Sequence, residues 1–120
     1  MWREHASFKK IRPCERCPQQ KHKTEEAPQL ARVLVEEELA ACVNLLPTIR
    51  SVYSWKDQIC DDQESMLIVK TVRRLFEALS ARIKELHSYD TPEIIALPVI
   101  AACPNYQDWL FRSVSSKRQP

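Results

Sequence analysis

Residues 30–55 decide the fold, and they read LARVLVEEELAACVNLLPTIRSVYSW. Apolar residues recur at the i, i+3, i+4 and i+7 spacing of a helix face, from shortly before this stretch into its first turn. They are Ala27, Leu30, Ala31 and Leu34. Thr24 precedes them with a hydroxyl that suits a helix N-cap. The pattern predicts a first helix over residues 25–39, with one buried face.

The rest of this stretch and the residues after it indicate a hairpin of two long strands. Residues 41–55 are rich in β-branched, aromatic and leucine side chains, and Pro47 indicates a kink or bulge along the strand. Residues 56–58 are polar enough to turn. Residues 66–69 form a short apolar run between polar residues, which is typical of a strand that is buried on both faces.

The second half of the chain predicts two more helices and one more strand. A helix capped by Thr71 would bury the residues that keep helical spacing, namely Val72, Leu75, Phe76, Leu79, Ile83 and Leu86. Residues 94–102 indicate a strand. Pro98 within it predicts that part of this strand lies at a sheet edge or forms a bulge. Asn105 is placed to cap a short last helix.

The resulting order is helix, strand, strand, helix, strand, helix. With one strand in front it would be the α+β, ferredoxin-like βαββαβ sandwich. That first strand is not evident, because residues 1–23 contain no continuous apolar run. We therefore expect an atypical basic head over residues 1–23, a ferredoxin-like domain over 24–114 and a frayed tail over 115–120.

Composition limits the classes of protein to which this chain can belong. It has 120 residues, enough for one domain, is 44% hydrophobic, and carries a net charge of +2. Residues 1–23 hold seven Lys or Arg against two Glu, giving +5, and the remainder carries −3. No apolar run is long enough to span a membrane, and no secretory signal is evident. We expect a cytoplasmic protein that binds neither nucleic acid nor a membrane.

Five cysteines and no glycine are present. An odd number of cysteines without a secretion signal argues against a disulfide framework. Cys14 and Cys17 form a C-x-x-C motif, but His22 is the only nearby candidate for a further zinc ligand, and a structural zinc site needs four. Proline flanks the motif on both sides, which does not suit a redox turn. A solvated head is the favoured interpretation of this segment.

Four blocks of this sequence resemble the CutA divalent-cation tolerance family. They are LARVLVEEELAACVNLLPTIRSVYSW (30–55), SMLIVKT (65–71), HSYDTPEIIALPV (87–99) and PNYQDWL (104–110), in the same order and spacing across about residues 28–114. The resemblance implies a small cytosolic protein with a ferredoxin-like fold that assembles into a homotrimer similar to the PII signalling proteins. It also implies tolerance of copper and other divalent metals, with no enzymatic reaction attached. The family's hydrophobic first strand is replaced here by the basic head.

Cys42 and His87 lie in matching blocks and are candidate ligands for copper or another divalent metal. One thiolate and one imidazole make at most half of a site, so a trimer interface would have to supply the rest. No cofactor is obligatory in this interpretation. The alternative for Cys42 is a small buried hydrophobe, since it lies between Ala41 and Val43.

The resemblance also places a cleft between subunits, lined by Tyr53, Trp55, Lys70, Tyr89 and Glu93 together with His87. Lys70 ends a strand that the sequence predicts to be buried, and its ammonium group would need a carboxylate such as that of Glu93. The cleft could bind a small ligand, as in a PII-like sensor, or it could be a structural cluster that holds the trimer together. No nucleophile, base and orienting acid can be assigned, so we expect no enzyme.

Overall fold

The computed structural model describes residues 4–11, 26–86 and 93–115. None of the helices in these ranges is long and apolar enough to cross a membrane. A short 3₁₀ turn, Arg73–Leu75, precedes the second helix. The elements, in chain order, are β1 (Glu4–Ile11), α1 (Glu26–Glu36), β2 (Cys42–Trp55), β3 (Gln58–Val72), α2 (Phe76–Leu86), β4 (Glu93–Pro98) and α3 (Pro104–Ser115).

The four strands form one antiparallel sheet in the order β2-β3-β1-β4. This order and the βαββαβ succession of elements confirm the predicted ferredoxin-like α+β fold. The first strand, which the sequence does not make evident, is β1, and it lies in the middle of the sheet between β3 and β4. A central strand gains backbone hydrogen bonds on both sides, and these do not depend on an apolar sequence. Cys14, Cys17 and His22 lie outside the described residues.

Two apolar clusters hold the elements together. Helices α1 and α2 cover one face of the sheet, where the main cluster is built from Ala27, Leu30, Leu34, Leu39, Ala40, Leu67, Val69, Leu79 and Ile83. Helix α3 packs at one end of the sheet, where a second cluster joins Ala41, Val72, Leu75, Leu110 and Val114. The helical periodicity therefore identified most of the buried side of each helix, although Leu86 is exposed.

Helices α2 and α3 begin at other residues than the predicted caps, and Thr24, the predicted cap of α1, lies outside the described residues. Thr71 is the second-last residue of β3 and is buried, and its hydroxyl donates to the carbonyl oxygen of Leu39 at 2.6 Å. It is therefore a strand residue and not the cap of α2. Asn105 is the second residue of α3, whose first turn is closed by the Gln107 N–H donating to the Cys103 carbonyl oxygen at 3.0 Å. The predicted strand over 94–102 is shorter, since β4 ends at Pro98.

The hairpin of β2 and β3 extends well beyond the four-stranded sheet. Strand β1 pairs with residues 65–72 of β3, whereas residues 58–64 of β3 pair with residues 49–55 of β2. A register shift between Leu46 and Ile49 marks the bulge that Pro47 predicted. We call residues 49–64 the ribbon. It contributes to an elongated molecule of 44 × 25 × 22 Å.

Candidate functional site

The sheet face opposite α1 and α2 presents apolar residues that α1 and α2 do not cover. We call it the open face. By strand alternation and register it carries Cys42, Leu46, Met66, Ile68, Lys70, Ile95 and Leu97. Leu46, Ile95 and Leu97 keep 37%, 48% and 45% of their surface exposed. An apolar face of this kind indicates a surface that another protein covers.

Lys70 lies at the edge of the open face, next to helix α3. Its Nζ is 6.0 Å from the centroid of the Tyr106 ring, within the distance of a cation–π contact. The centroids of the Tyr106 and Trp109 rings are 5.5 Å apart, and the ring planes are tilted by 42° to each other. Both aromatic residues are partly exposed. They were not predicted as site residues, although their i, i+3 spacing places them side by side on a helix.

The register separates Lys70 from Glu93 within one chain, so the expected ion pair between them stays a prediction for the contact between subunits. Lys70 lies opposite Ala6 of β1, whereas Glu93 lies opposite Lys10. Four residues along β1 correspond to about 13 Å. Within one chain Lys70 instead has the Tyr106 ring as its neighbour.

Tyr53 and Trp55 lie on the ribbon. The Tyr53 hydroxyl donates to an Asp62 carboxylate oxygen, and Trp55 is exposed beside the turn. Tyr53 pairs with Cys60, ten residues along β3 from Lys70, which is about 33 Å. One chain therefore does not bring the predicted cleft residues together, and a cleft between subunits stays a prediction. Tyr89 lies outside the described residues.

The ribbon also carries polar contacts that the sequence analysis did not identify. The Ser51 hydroxyl donates to Glu64 Oε2 at 3.0 Å, and Glu64 is buried. On the other side of the ribbon, Arg50 donates two hydrogen bonds to Asp61, at 2.7 and 2.6 Å. These bonds lower the pKa of the Asp61 carboxyl and raise the pKa of the Arg50 guanidinium. Cross-strand polar pairs of this kind keep the ribbon in register.

The structure describes only one of the two candidate metal ligands. Cys42 is half-buried on the open face opposite Lys70, and its Sγ is 3.9 Å from Asn44 Oδ1. His87 lies outside the described residues. Within the part of the chain that the structure describes, no three His, Cys, Asp or Glu side chains are grouped so as to hold a metal ion. A thiol suits copper or zinc, so Cys42 fits such an ion as one ligand among several.

The fold and the extended ribbon define a ferredoxin-like protein with an apolar sheet face that α1 and α2 do not cover. The sequence model described as CutA1 divalent ion tolerance protein matches residues 19–113. The chain therefore belongs to the CutA1 divalent ion tolerance family, as the sequence resemblance predicted.

Individual relatives agree with this assignment. The divalent-cation tolerance protein CutA of Thermus thermophilus is 48% identical over 72% of this chain and 84% of its own length. The chloroplastic protein CutA of Arabidopsis thaliana is 44% identical over 74% of this chain and 49% of its own length, so the match spans about half of that relative. The crystal structure of CutA1 from Oryza sativa has a TM-score of 0.82 and 34% identity, and the match covers 97% of each chain.

Proposed function

We propose that this protein acts in divalent-cation tolerance as a non-enzymatic homotrimer that binds copper or another divalent metal ion. Membership of the CutA1 family supports the tolerance role. The trimer is what the resemblance to this family implies. The proposed metal ligands are Cys42 and His87, contributed by more than one copy of the chain.

The observation that carries the proposal is the open face. Leu46, Ile95 and Leu97 are each more than a third exposed in the single chain. Burying such side chains against further copies would stabilise the assembly by about 25 cal/mol for each Å² of apolar surface removed from water. Cys42 lies on the same face, so assembly would bring several copies of its thiol towards one region. That arrangement would supply the additional ligands that a single chain lacks.

Two measurements test this proposal. Light scattering behind size exclusion should give three times the 14.0 kDa mass of the chain. Calorimetric titration with Cu²⁺ should show at least tenfold weaker binding after Cys42→Ala and after His87→Ala. Cys103→Ala is the matched control, because Cys103 is an exposed thiol that belongs to no strand of the sheet and the variant keeps the other four cysteines. Equal affinity in the unchanged chain and in the Cys42 and His87 variants would contradict the metal role.

The small-ligand sensor is the less favoured function. The matching family model and the Thermus relative are both named for divalent ion or cation tolerance. A cytoplasmic location also belongs to the proposal, and it rests on the resemblance. The Arabidopsis relative is named chloroplastic, so location differs within the family. Fractionation of the source cells with an antibody against the chain tests this point.

A further inference from the structure

Lys70 brings a positive charge to the otherwise apolar open face. It is half-buried, and its neighbours along β3, Val69 and Thr71, are buried. In the part of the chain that the structure describes, no carboxylate lies within ion-pair distance of its Nζ, and the nearest group of note is the Tyr106 ring at 6.0 Å. Covering an ammonium group without a carboxylate costs much of its hydration free energy. A further copy that covers the open face should therefore bring a carboxylate to Lys70.

Helix α3 places two aromatic rings beside this lysine. We call Lys70, Tyr106 and Trp109 the aromatic corner. The helix is attached to the sheet through Leu110 and Val114, which are buried in the second cluster. Tyr106 and Trp109 stay partly exposed, with their centroids 5.5 Å apart. The corner therefore offers an apolar surface that lies next to a positive charge.

The start of β4 offers a surface of the opposite charge on the same side of the sheet. Glu93 and Ile95 are alternate residues of β4, so both belong to the open face. Glu93 is half-buried, and Ile95 is about half exposed. A carboxylate accepts several hydrogen bonds, so Glu93 can take a further donor in addition to its contacts within its own chain. This pair is complementary to the aromatic corner in charge and in apolar character.

We propose that the aromatic corner of one copy of the chain receives Glu93 and Ile95 of a second copy. The Glu93 carboxylate lies against the Lys70 ammonium group, and Ile95 packs on the two aromatic rings. The inference rests on the proposed homotrimer and names a contact between its subunits. Each copy has one aromatic corner and one Glu93, so the contacts run head to tail, and head-to-tail contacts close a ring when the rotation allows it. The partner that fits this surface is thus another copy of the chain, recognised by complementary charge.

Charge reversal tests the contact on the full chain. Lys70→Glu sets two carboxylates against each other, and Glu93→Lys sets two ammonium groups against each other. Each variant alone should exchange subunits at least tenfold faster than the unchanged chain. In an equal mixture of the two variants, a mixed ring of three restores opposite charges at two of its three contacts. With one variant labelled with nitrogen-15, native mass spectrometry should find mixed trimers well above the three quarters that random mixing gives.

A second pair of variants is the matched control for charge. Lys84 and Glu77 are exposed on α2, which covers the other face of the sheet. An equal mixture of Lys84→Glu and Glu77→Lys should therefore give the random distribution of trimers. Tyr106→Leu removes the ring beside Lys70 and should speed up subunit exchange at least threefold, whereas Tyr106→Phe keeps the ring and should leave the exchange rate unchanged.

The outcomes separate this contact from the proposed function. A trimer whose Lys70→Glu and Glu93→Lys variants mix at random would overturn the contact and leave the homotrimer standing. A chain that does not form trimers would overturn both. If charge reversal prevents folding, Lys70→Met and Glu93→Gln decide the question. Each should speed up exchange, and the double variant should be less than threefold faster than the faster single variant, whereas independent effects of the two changes would contradict the contact.

Discussion

The backbone N–H of Leu39 donates to the carbonyl oxygen of Leu34 at 3.0 Å and closes the end of helix α1. The Glu38 N–H donates to the Val35 carbonyl oxygen, also at 3.0 Å, and Glu38 has a φ of 59°. These two bonds form a Schellman motif, in which the left-handed position is usually glycine. Leu34 and Leu39 are both fully buried in the main cluster. Their packing fixes the helix end although a glutamate occupies the strained position.

Replacing Glu38 by glycine should therefore stabilise the protein. The left-handed conformation costs a residue with a Cβ about 1–2 kcal/mol, and the greater freedom of glycine in the unfolded chain offsets part of the gain. We expect Glu38→Gly to raise the free energy of unfolding by about 0.5–1 kcal/mol, measured by urea denaturation with tryptophan fluorescence. Glu36→Gly is the control, because position 36 is helical, and it should destabilise the protein. A loss of stability in the Glu38 variant would contradict the assigned strain.

The ribbon turn contains two further residues with a positive φ angle. Lys56 and Asp57 have φ angles of 51° and 63°, as a type I′ turn requires, and Asn-Gly is the sequence that this turn favours. Lys56→Asn with Asp57→Gly should raise the unfolding free energy by about 1 kcal/mol. Thermal unfolding measures the effect. Gln58→Gly, one residue into β3, is the control and should lower the melting temperature. No difference between the two variants would argue against a strained turn.

Thr71 should tolerate few substitutions. Its hydroxyl satisfies the Leu39 carbonyl oxygen inside the core, so Thr71→Val should cost about 1–3 kcal/mol of unfolding free energy, measured by urea denaturation. Thr71→Ser keeps the hydroxyl and should cost less than Thr71→Val. Thr71→Asp distinguishes a strand position from a helix cap, because a cap accepts aspartate and a buried strand position does not. Near-normal stability of Thr71→Asp would favour the cap.

Asp61 should titrate below its ordinary pKa. The hydrogen bonds from Arg50 are the main cause of the lowered pKa of this exposed carboxyl. A carboxyl with a lowered folded-state pKa contributes stability above its unfolded pKa, and this contribution disappears as pH falls through the folded value. The ribbon should therefore loosen only below the ordinary pKa of 3.8. An NMR titration of the Asp61 carboxyl measures this, and Arg50→Gln should return its pKa towards 3.8. An unchanged pKa in that variant would contradict the assigned cause.

The sequence predicted those helices and strands in which apolar residues recur at the spacing that a helix or a strand requires. The helical spacing in α1 and α2 identified buried residues such as Leu34 and Ile83. The polar triplet after Trp55 located the turn of the hairpin. The cap at Thr71 was predicted wrongly, because a threonine before a helical pattern suits both a cap and the end of a strand. The partner that decides between them is Leu39, which is distant in sequence.

The candidate site was less predictable than the fold. Cys42 and Lys70 were identified from blocks that resemble a family, and the structure pairs them across β2 and β3. Tyr106 and Trp109 were missed as site residues, because the contact of Tyr106 with Lys70 depends on how α3 packs at the end of the sheet. Register, which sequence spacing does not show, separates Lys70 from Glu93 within one chain, so their ion pair stays a prediction.

By itself the sequence determined the family, the two covering helices and the long hairpin, since each rests on local periodicity or on blocks of matching residues. Only the tertiary structure decided the place of β1. Its sequence lacks an apolar pattern, and residues 4–11 form a strand between β3 and β4 through backbone pairing on both sides. Backbone hydrogen bonds form between residues of any type, so a strand that is held mainly by them cannot be predicted from its own sequence. It is recognised only once the two strands beside it have been placed.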